Sequence, residues 1–256
     1  YDKLKYGLIN ALNWNSENKN LLLSKYFNNQ SSIWRIFKEN NIYASNLQHK
    51  KLMNTPLSNV LYEEKSIVPY ISQEDLVNAL SDSLLMENKF NFIYYPNIDV
   101  IAHVFGVNSE EWIKEIKIFE ELVKKITELS NKKSYTVISA DHGLTNVPKE
   151  NRFHITYNEN VNIYGDQRSV YINGSKKEII EIFSKVPGQL IDRSELNHLL
   201  PLPENDFIES LYPDFCFLVE DKNIIYPHHL KTELAGYHGG LSTEEIKIPI
   251  IEISNF

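Results

Sequence analysis

The sequence predicts an α/β protein with a mostly parallel central sheet and helices on both of its faces. Short runs of β-branched and aromatic residues alternate with longer segments whose apolar residues recur every three or four positions. The short runs are continuously apolar, which is typical of strands buried on both faces. Clusters containing Asp and His directly follow several predicted strands, where open α/β sheets place their ligand sites.

The composition of the 256-residue chain is that of a globular protein, with 42% hydrophobic and 23% charged residues. A net charge of −8 argues against an extended nucleic-acid-binding surface. No apolar run approaches the roughly 20 residues of a membrane span, so we expect a cytoplasmic protein. A single cysteine, Cys216, excludes an intramolecular disulfide and a Cys-rich zinc module, and its apolar surroundings predict a buried thiol in a strand.

Amphipathic periodicity predicts the helices. They are expected over residues 32–40, 73–87, 109–129 and 175–185. The first two follow Ser32 and Ser72, which are suited to cap a helix N-terminus. The third has the clearest apolar stripe, formed by Trp112, Ile116, Phe119, Val123 and Ile126.

Strands are predicted where short β-rich apolar runs end at Pro, Gly or charged residues. These runs cover residues 90–95, 135–140, 168–172, 215–219 and 248–253. We expect the first, the second and the last of them to lie close enough in the sheet to bring the polar clusters that flank them together.

Three of these clusters carry residues that could bind a metal. Asp99 and His103 are four positions apart after Pro96, so a helix there would place both side chains on one face. Asp141 and His142 end a predicted strand, and His238 lies among glycines before another. Carboxylates and imidazoles are the donors that zinc-class ions prefer. Taken singly, each cluster could instead be a capped turn or a structural histidine, and the residues alone predict only a metal-dependent hydrolase.

A fourth cluster, residues 165–168, ends in Arg168. The planar guanidinium is suited to bidentate contact with a phosphate, which makes Arg168 a candidate substrate-binding residue. The alternative is a surface arginine paired with Asp166.

In this order, three segments of the chain resemble the type I phosphodiesterase/nucleotide pyrophosphatase family of the alkaline-phosphatase superfamily. They are residues 95–106, residues 138–144 (Ile-Ser-Ala-Asp-His-Gly-Leu) and residues 236–250, which begin Gly-Tyr-His-Gly-Gly-Leu-Ser. The third is the most specific, and the resemblance extends from about residue 31 to the end of the chain. It implies an alkaline-phosphatase-like fold and a hydrolase of phosphate esters, with a small phosphate ester or nucleotide as substrate.

The resemblance also implies two zinc ions. Asp99, His103 and His238 match the ligands of one ion, and Asp141 and His142 match two ligands of the other. In this family a Thr or Ser attacks phosphorus and forms a covalent intermediate that water then hydrolyses.

The chain departs from the family pattern at the nucleophile. The chain has no match for the Asp-Gly that ends the family's first strand, or for the Thr or Ser that follows it. The sequence around Ser31, Ser32 and Thr55 differs from that around the family's nucleophile. We therefore expect residues 1–256 to form a single catalytic domain without that strand and nucleophile helix, and to show little hydrolysis as an isolated chain. Residues 147–234 are expected to form an inserted cap or an extension of the sheet.

Other functions are compatible with the same set of metal ligands. The chain could be a phosphomonoesterase, a sulfatase-like enzyme, a phosphonate-cleaving enzyme or a phosphomutase. It could also be an inactive metal-binding module.

Overall fold

The computed structural model describes residues 33–62, 67–84, 89–129, 134–199, 209, 212–227 and 233–255. Contacts along the chain divide it into two compact units. Of the described residues, the first contains those up to Asn97, those within Ile116–Thr136 and those from Glu252 on. The second contains Ile98–Glu115 and Val137–Ile251, and therefore all the predicted site residues.

The described helices and strands alternate along the chain. The helices are α1 (Ile33–Glu39), α2 (Pro56–Leu61), α3 (Gln73–Leu84), α4 (Asn97–Phe105), α5 (Glu110–Leu129), α6 (Lys176–Phe183), α7 (Arg193–Leu199) and α8 (Thr243–Ile246). The strands of the first half are β1 (Tyr43–His49), β2 (Ile67–Tyr70), β3 (Lys89–Ile93), β4 (Ser134–Ser139), β5 (Thr145–Asn146) and β6 (Arg152–Ile155). Those of the second half are β7 (Asn162–Gly165), β8 (Ser169–Asn173), β9 (Gly188–Asp192), β10 (Phe215–Val219), β11 (Ile224–Pro227), β12 (Gly236–Tyr237) and β13 (Ile250–Asn255).

The first unit contains a parallel three-stranded sheet in the order β2-β1-β3. Helix α3 buries Leu76 and Leu80 against Leu47 of the central strand, and Leu122 of α5 joins the same core. These contacts fix α3 on the sheet.

The N-terminus of α3 is capped reciprocally by Ser72 and Asp75. The Asp75 carboxylate accepts the N–H of Ser72, and the Ser72 hydroxyl accepts the N–H of Asp75.

The second unit contains an antiparallel four-stranded sheet in the order β7-β8-β10-β9. Helix α6 covers it with Ile179 and Phe183, which pack on Ile172 and Phe217. Cys216 is buried in β10, and burial raises the pKa of its thiol to about 11. The predicted burial of this thiol is therefore confirmed.

Short strand pairs complete the described structure. β6 pairs with β11 in parallel, β5 pairs with β12 antiparallel, and β4 pairs with β13. The β5–β12 pair matters most for the site, since β5 follows Asp141 and His142 closely and β12 directly precedes His238.

The predicted α/β class is confirmed, and each predicted helix and strand has a counterpart in the structure. Ser32 and residues 85–88, at the ends of two predicted helices, lie outside the described residues. One feature differs: the largest sheet within the described ranges is antiparallel. A tight turn joins β7 to β8, with Gly165 at φ +99° and the Asp166 N–H bonded to the Ser169 carbonyl, and such a turn allows only antiparallel pairing.

The four-stranded sheet lies within residues 147–234, for which an inserted cap or sheet extension is expected. That role, like the single-domain organisation, stays a prediction. Within the part of the chain that the structure describes, no helix has both the length and the apolar character needed to cross a membrane.

Candidate metal centre

Helix α4 presents the first two predicted ligands on one face. Asp99 lies in its first turn, where a carboxylate suits the helix dipole, and His103 lies in its last. The i,i+4 spacing brings Asp99 Oδ1 to 3.4 Å from His103 Nε2. The pair predicted from the spacing is therefore present as a pair.

A backbone contact fixes the orientation of His103. Its Nδ1 lies 2.8 Å from the carbonyl oxygen of Gly236, which can only accept a hydrogen bond. Nδ1 therefore donates, and in the neutral ring the lone pair resides on Nε2, which faces Asp99. Metal-binding histidines are commonly oriented by such a bond from their second nitrogen.

The strand β12 places the third predicted ligand, His238, beside this helix. The Ala235 N–H donates to the His103 carbonyl at 2.7 Å, so the chain entering β12 is tied to α4. A Cβ at Gly236 would lie 2.5 Å from the Ala102 carbonyl oxygen, so only glycine allows this approach. Ligand atoms of Asp99, His103 and His238 all lie within 4.8 Å of one another.

This cluster has the chemistry of a cation site. Asp99 Oδ1 is shielded from solvent and accepts no hydrogen bond in the structure. A buried carboxylate oxygen without a donor is costly unless a cation compensates it. One carboxylate and two imidazoles are a common ligand set for zinc-class ions. The residues therefore fit the metal that the family resemblance implies.

The second predicted pair, Asp141 and His142, lies next to this cluster. The His142 ring stacks on the His238 ring, with centroids 3.7 Å apart and an interplanar angle of 18°. His142 Nε2 is 3.7 Å from Asp141 Oδ2, and the Asp141 side chain is 74% exposed. Among the described residues, only the cluster of Asp99, His103 and His238 brings three ligand-type side chains within reach of one ion.

The backbone after His142 is fixed against α8. The Gly143 N–H donates to the Glu245 carbonyl at 2.8 Å. A Cβ at Gly143 would lie 2.0 Å from the Glu244 carbonyl oxygen, so no side chain fits at this position. The glycine of the Asp-His-Gly motif is thus required by close packing.

Electrostatics favour a neutral ring at His238. Burial, followed by the repulsion of His142, lowers the pKa of His238, although the charge of Asp166 partly opposes this shift. Neutral imidazole is the form that binds metals. Asp166, which the sequence offered only as the alternative partner of Arg168, lies against Gly239.

Arg168 was predicted either to contact a phosphate or to lie at the surface, and the structure shows neither arrangement. Its side chain is buried and makes a bidentate salt bridge with Glu245, while its remaining guanidinium nitrogen donates to two backbone carbonyls. The surface alternative is therefore wrong. The guanidinium also has no free pair of N–H groups for bidentate contact with a phosphate. Glu245 was not predicted as part of the site, although the pattern Ser242-x-x-Glu245 is a recognisable signal of a helix N-terminus.

The fold of this chain is similar to those of several solved structures. Murine ectonucleotide pyrophosphatase/phosphodiesterase 5, solved as an inactive variant in complex with AMP, matches with a TM-score of 0.65 at 15% identity over 88% of this chain. Its human counterpart matches with a TM-score of 0.61 at 12% identity over 88% of this chain. Phosphonoacetate hydrolase from Sinorhizobium meliloti 1021, in complex with phosphonoacetate, matches with a TM-score of 0.62 at 13% identity, covering 87% of this chain and 68% of that chain.

The sequence itself matches a family model. This chain spans 63% of the length of the murine and of the human protein. No curated protein matches it in sequence. The model described as type I phosphodiesterase / nucleotide pyrophosphatase matches residues 14–196, which is more than half of the chain and includes Asp99, His103, Asp141 and His142. The chain therefore belongs to the type I phosphodiesterase/nucleotide pyrophosphatase family.

Proposed function

We propose that this protein is a metal-dependent hydrolase of phosphate esters that uses two zinc-class ions. The observation that carries the proposal is the cluster of Asp99, His103 and His238, whose ligand atoms lie within 4.8 Å of one another around a buried carboxylate oxygen without a hydrogen-bond donor. Membership of a phosphodiesterase family supports the reaction class.

The two sets of ligands have different tasks in this proposal. Asp99, His103 and His238 hold one ion, and Asp141 and His142 contribute to holding the other. When bound, the ions stabilise the negative charge that develops on the oxygens of the phosphoryl group. The bond from His103 to Gly236 keeps its Nε2 free for binding, and the lowered pKa of His238 keeps that ring neutral.

We propose a small phosphate diester or a nucleotide as the substrate. The murine relative was solved with AMP, a ligand of the expected class. The chain's own net charge of −8 makes an extended nucleic acid a poor partner. A Thr or Ser nucleophile is expected from the family, and its position is not assigned among the residues of this chain.

A phosphonate is the second candidate substrate. The bacterial neighbour is a phosphonoacetate hydrolase solved with phosphonoacetate, and its fold matches this chain as well as the human pyrophosphatase does. A panel of bis-p-nitrophenyl phosphate, p-nitrophenyl phosphate and phosphonoacetate distinguishes diesterase, monoesterase and phosphonate-cleaving activity.

The proposal is tested on the full-length gene product, purified without chelator and then supplied with zinc. We expect bound zinc, and hydrolysis that is lost in His238→Ala. His198→Ala is the matched control, because His198 lies at the exposed end of α7 and should change neither property. A parent protein without bound metal after zinc addition would refute the metal centre. Bound zinc without hydrolysis of any substrate in the panel would instead support the inactive metal-binding module.

A further inference from the structure

The salt bridge between Arg168 and Glu245 is completely enclosed. Both side chains are only 1% exposed. Arg168 Nε donates to Glu245 Oε1 at 2.8 Å and Nη2 donates to Oε2 at 2.5 Å, so the guanidinium and carboxylate meet in a bidentate pair. The two residues are 77 positions apart in sequence, so the pair is a tertiary contact.

Glu245 connects this pair to both histidine loops of the candidate metal centre. Its carboxylate accepts the N–H of Gly240, two residues after His238, at 2.8 Å. Its backbone carbonyl accepts the N–H of Gly143, the residue after His142, also at 2.8 Å. One residue therefore binds the backbone next to each of the two stacked histidines.

Arg168 is in turn anchored on its far side. Its Nη1 donates to the carbonyls of Asp221 and Asn223, at 2.6 Å each. A Cβ at Gly240 would lie 2.8 Å from Arg168 Nη2 and 2.9 Å from Glu245 Oε2, so the loop packs directly on the ion pair. The position of the His238 loop is thereby set by the pair.

A buried ion pair is weak evidence for a purely stabilising role. Desolvation of two charges offsets much of their attraction, and apolar replacements of similar volume are often as stable. Here the guanidinium donates to Glu245 and to two backbone carbonyls within residues 221–223. Glu245 in turn binds the backbone of the two loops that carry His142 and His238. A fully satisfied polar network of this kind holds one geometry in preference to others.

We propose that Arg168 and Glu245 are positioning residues of the metal centre, which fix the loops of His142 and His238 relative to each other and so raise the affinity for metal. This inference rests on the proposed function in that the ion is what these loops hold. Residues that orient metal ligands typically contribute 10- to 100-fold to affinity.

Zinc affinity, measured by competition with a chromophoric chelator, tests the proposal. In the double variant Arg168→Met/Glu245→Gln both charges are removed, so no unpaired charge is left buried. We expect about a 10- to 100-fold loss of zinc affinity, together with an altered visible spectrum of the Co²⁺-loaded protein. The matched control is Glu233→Gln, which makes the same chemical change in a carboxylate that is 63% exposed and pairs with Arg152, and it should leave affinity within about twofold.

A second variant separates positioning from simple stabilisation. Arg168→Lys keeps the charge but cannot form the two parallel bonds to Glu245. We expect this variant to fold, as judged by circular dichroism, and still to bind zinc more weakly than the parent with an altered Co²⁺ spectrum. Folded variants with the parent's affinity and spectrum would overturn the proposal, since a role in stability alone predicts that result.

A measurement on the unmodified protein keeps the proposal testable if the variants do not fold. In the metal-free parent, the amides of Gly143 and Gly240 should exchange with solvent as slowly as those in the core of β8. Exchange as fast as in an exposed turn would show that the loops are not fixed, and would refute the proposal. Zinc binding by the parent without hydrolysis would refute only the proposed activity, whereas a parent that binds no zinc would overturn both.

Discussion

The two halves of the candidate metal centre are held in different ways. Asp99 and His103 come from a helix, and the second nitrogen of His103 is bound to the backbone of a distant strand. Asp141 and His142 come from a loop; His142 Nδ1 lies 3.1 Å from the carbonyl oxygen of the next residue, and the Asp141 side chain is largely exposed. We infer that the first half is formed before any ion binds, and that the side chains of the second half are ordered by the ion.

The largest effect is expected at His238, which we propose to bind the first ion together with Asp99 and His103. His238→Ala removes this proposed ligand and also the ring on which His142 stacks. We expect zinc affinity at the first site to fall by more than about 100-fold, beyond the usual effect of losing a supporting residue. Isothermal titration with zinc measures it, with His198→Ala as control. Retention of two ions by His238→Ala would contradict the ligand assignment.

A ligand change in the second half should leave the first half intact. His142→Ala is expected to reduce the bound zinc from two ions to one, because other contacts hold the first set of ligands. Asp99 and His103 lie on α4 and His103 bonds to Gly236, while the loop of His238 is bound by Glu245 through the N–H of Gly240. Metal content after dialysis gives the stoichiometry. Loss of both ions would show that the two halves form a single cooperative site, and would remove the distinction drawn between them.

The packing of the second loop can be disturbed without touching a ligand. In Gly143→Ala the new Cβ would lie 2.0 Å from the Glu244 carbonyl, so the backbone of the loop or of α8 must move. We expect a destabilisation of about 1–3 kcal/mol, the usual cost of overpacking, and weaker binding of the second ion. Chemical denaturation measures the first and zinc titration the second. An unchanged free energy of unfolding would mean that the loop is not packed as described.

The smallest expected effect is a pH dependence of stability through Glu245. Burial alone would raise the pKa of its carboxyl, but the bonds from Arg168, Ser242 and Gly240 outweigh it and lower the pKa below its ordinary value of 4.5. A lowered folded-state pKa contributes stability above the unfolded-state value, and this contribution is lost as pH falls through the folded-state pKa. The difference in free energy of unfolding between the parent and Glu245→Gln should therefore shrink as the pH is lowered below about 4.5. A difference that stays constant with pH would contradict this assignment.

The sequence predicted what depends on local spacing. The positions of Asp99 and His103 on one helix face follow from their separation of four residues, and the strands and helices follow from apolar periodicity. Joining His238 to that pair required the resemblance to a family, because 135 residues separate it from His103 and spacing carries no information over that distance. The antiparallel sheet and the burial of Arg168 were not predicted. Both depend on partners that are distant in the sequence, which local residue patterns do not reveal.

The difference between the two halves implies that two ions bind, one to a preformed site and one to a site completed on binding. Zinc titration of the metal-free, full-length protein, followed by calorimetry, measures both binding steps. We expect two ions, with the first bound at least about tenfold more tightly because its ligands are already oriented. A single ion, no ion, or two ions of equal affinity that both persist in His238→Ala would contradict it.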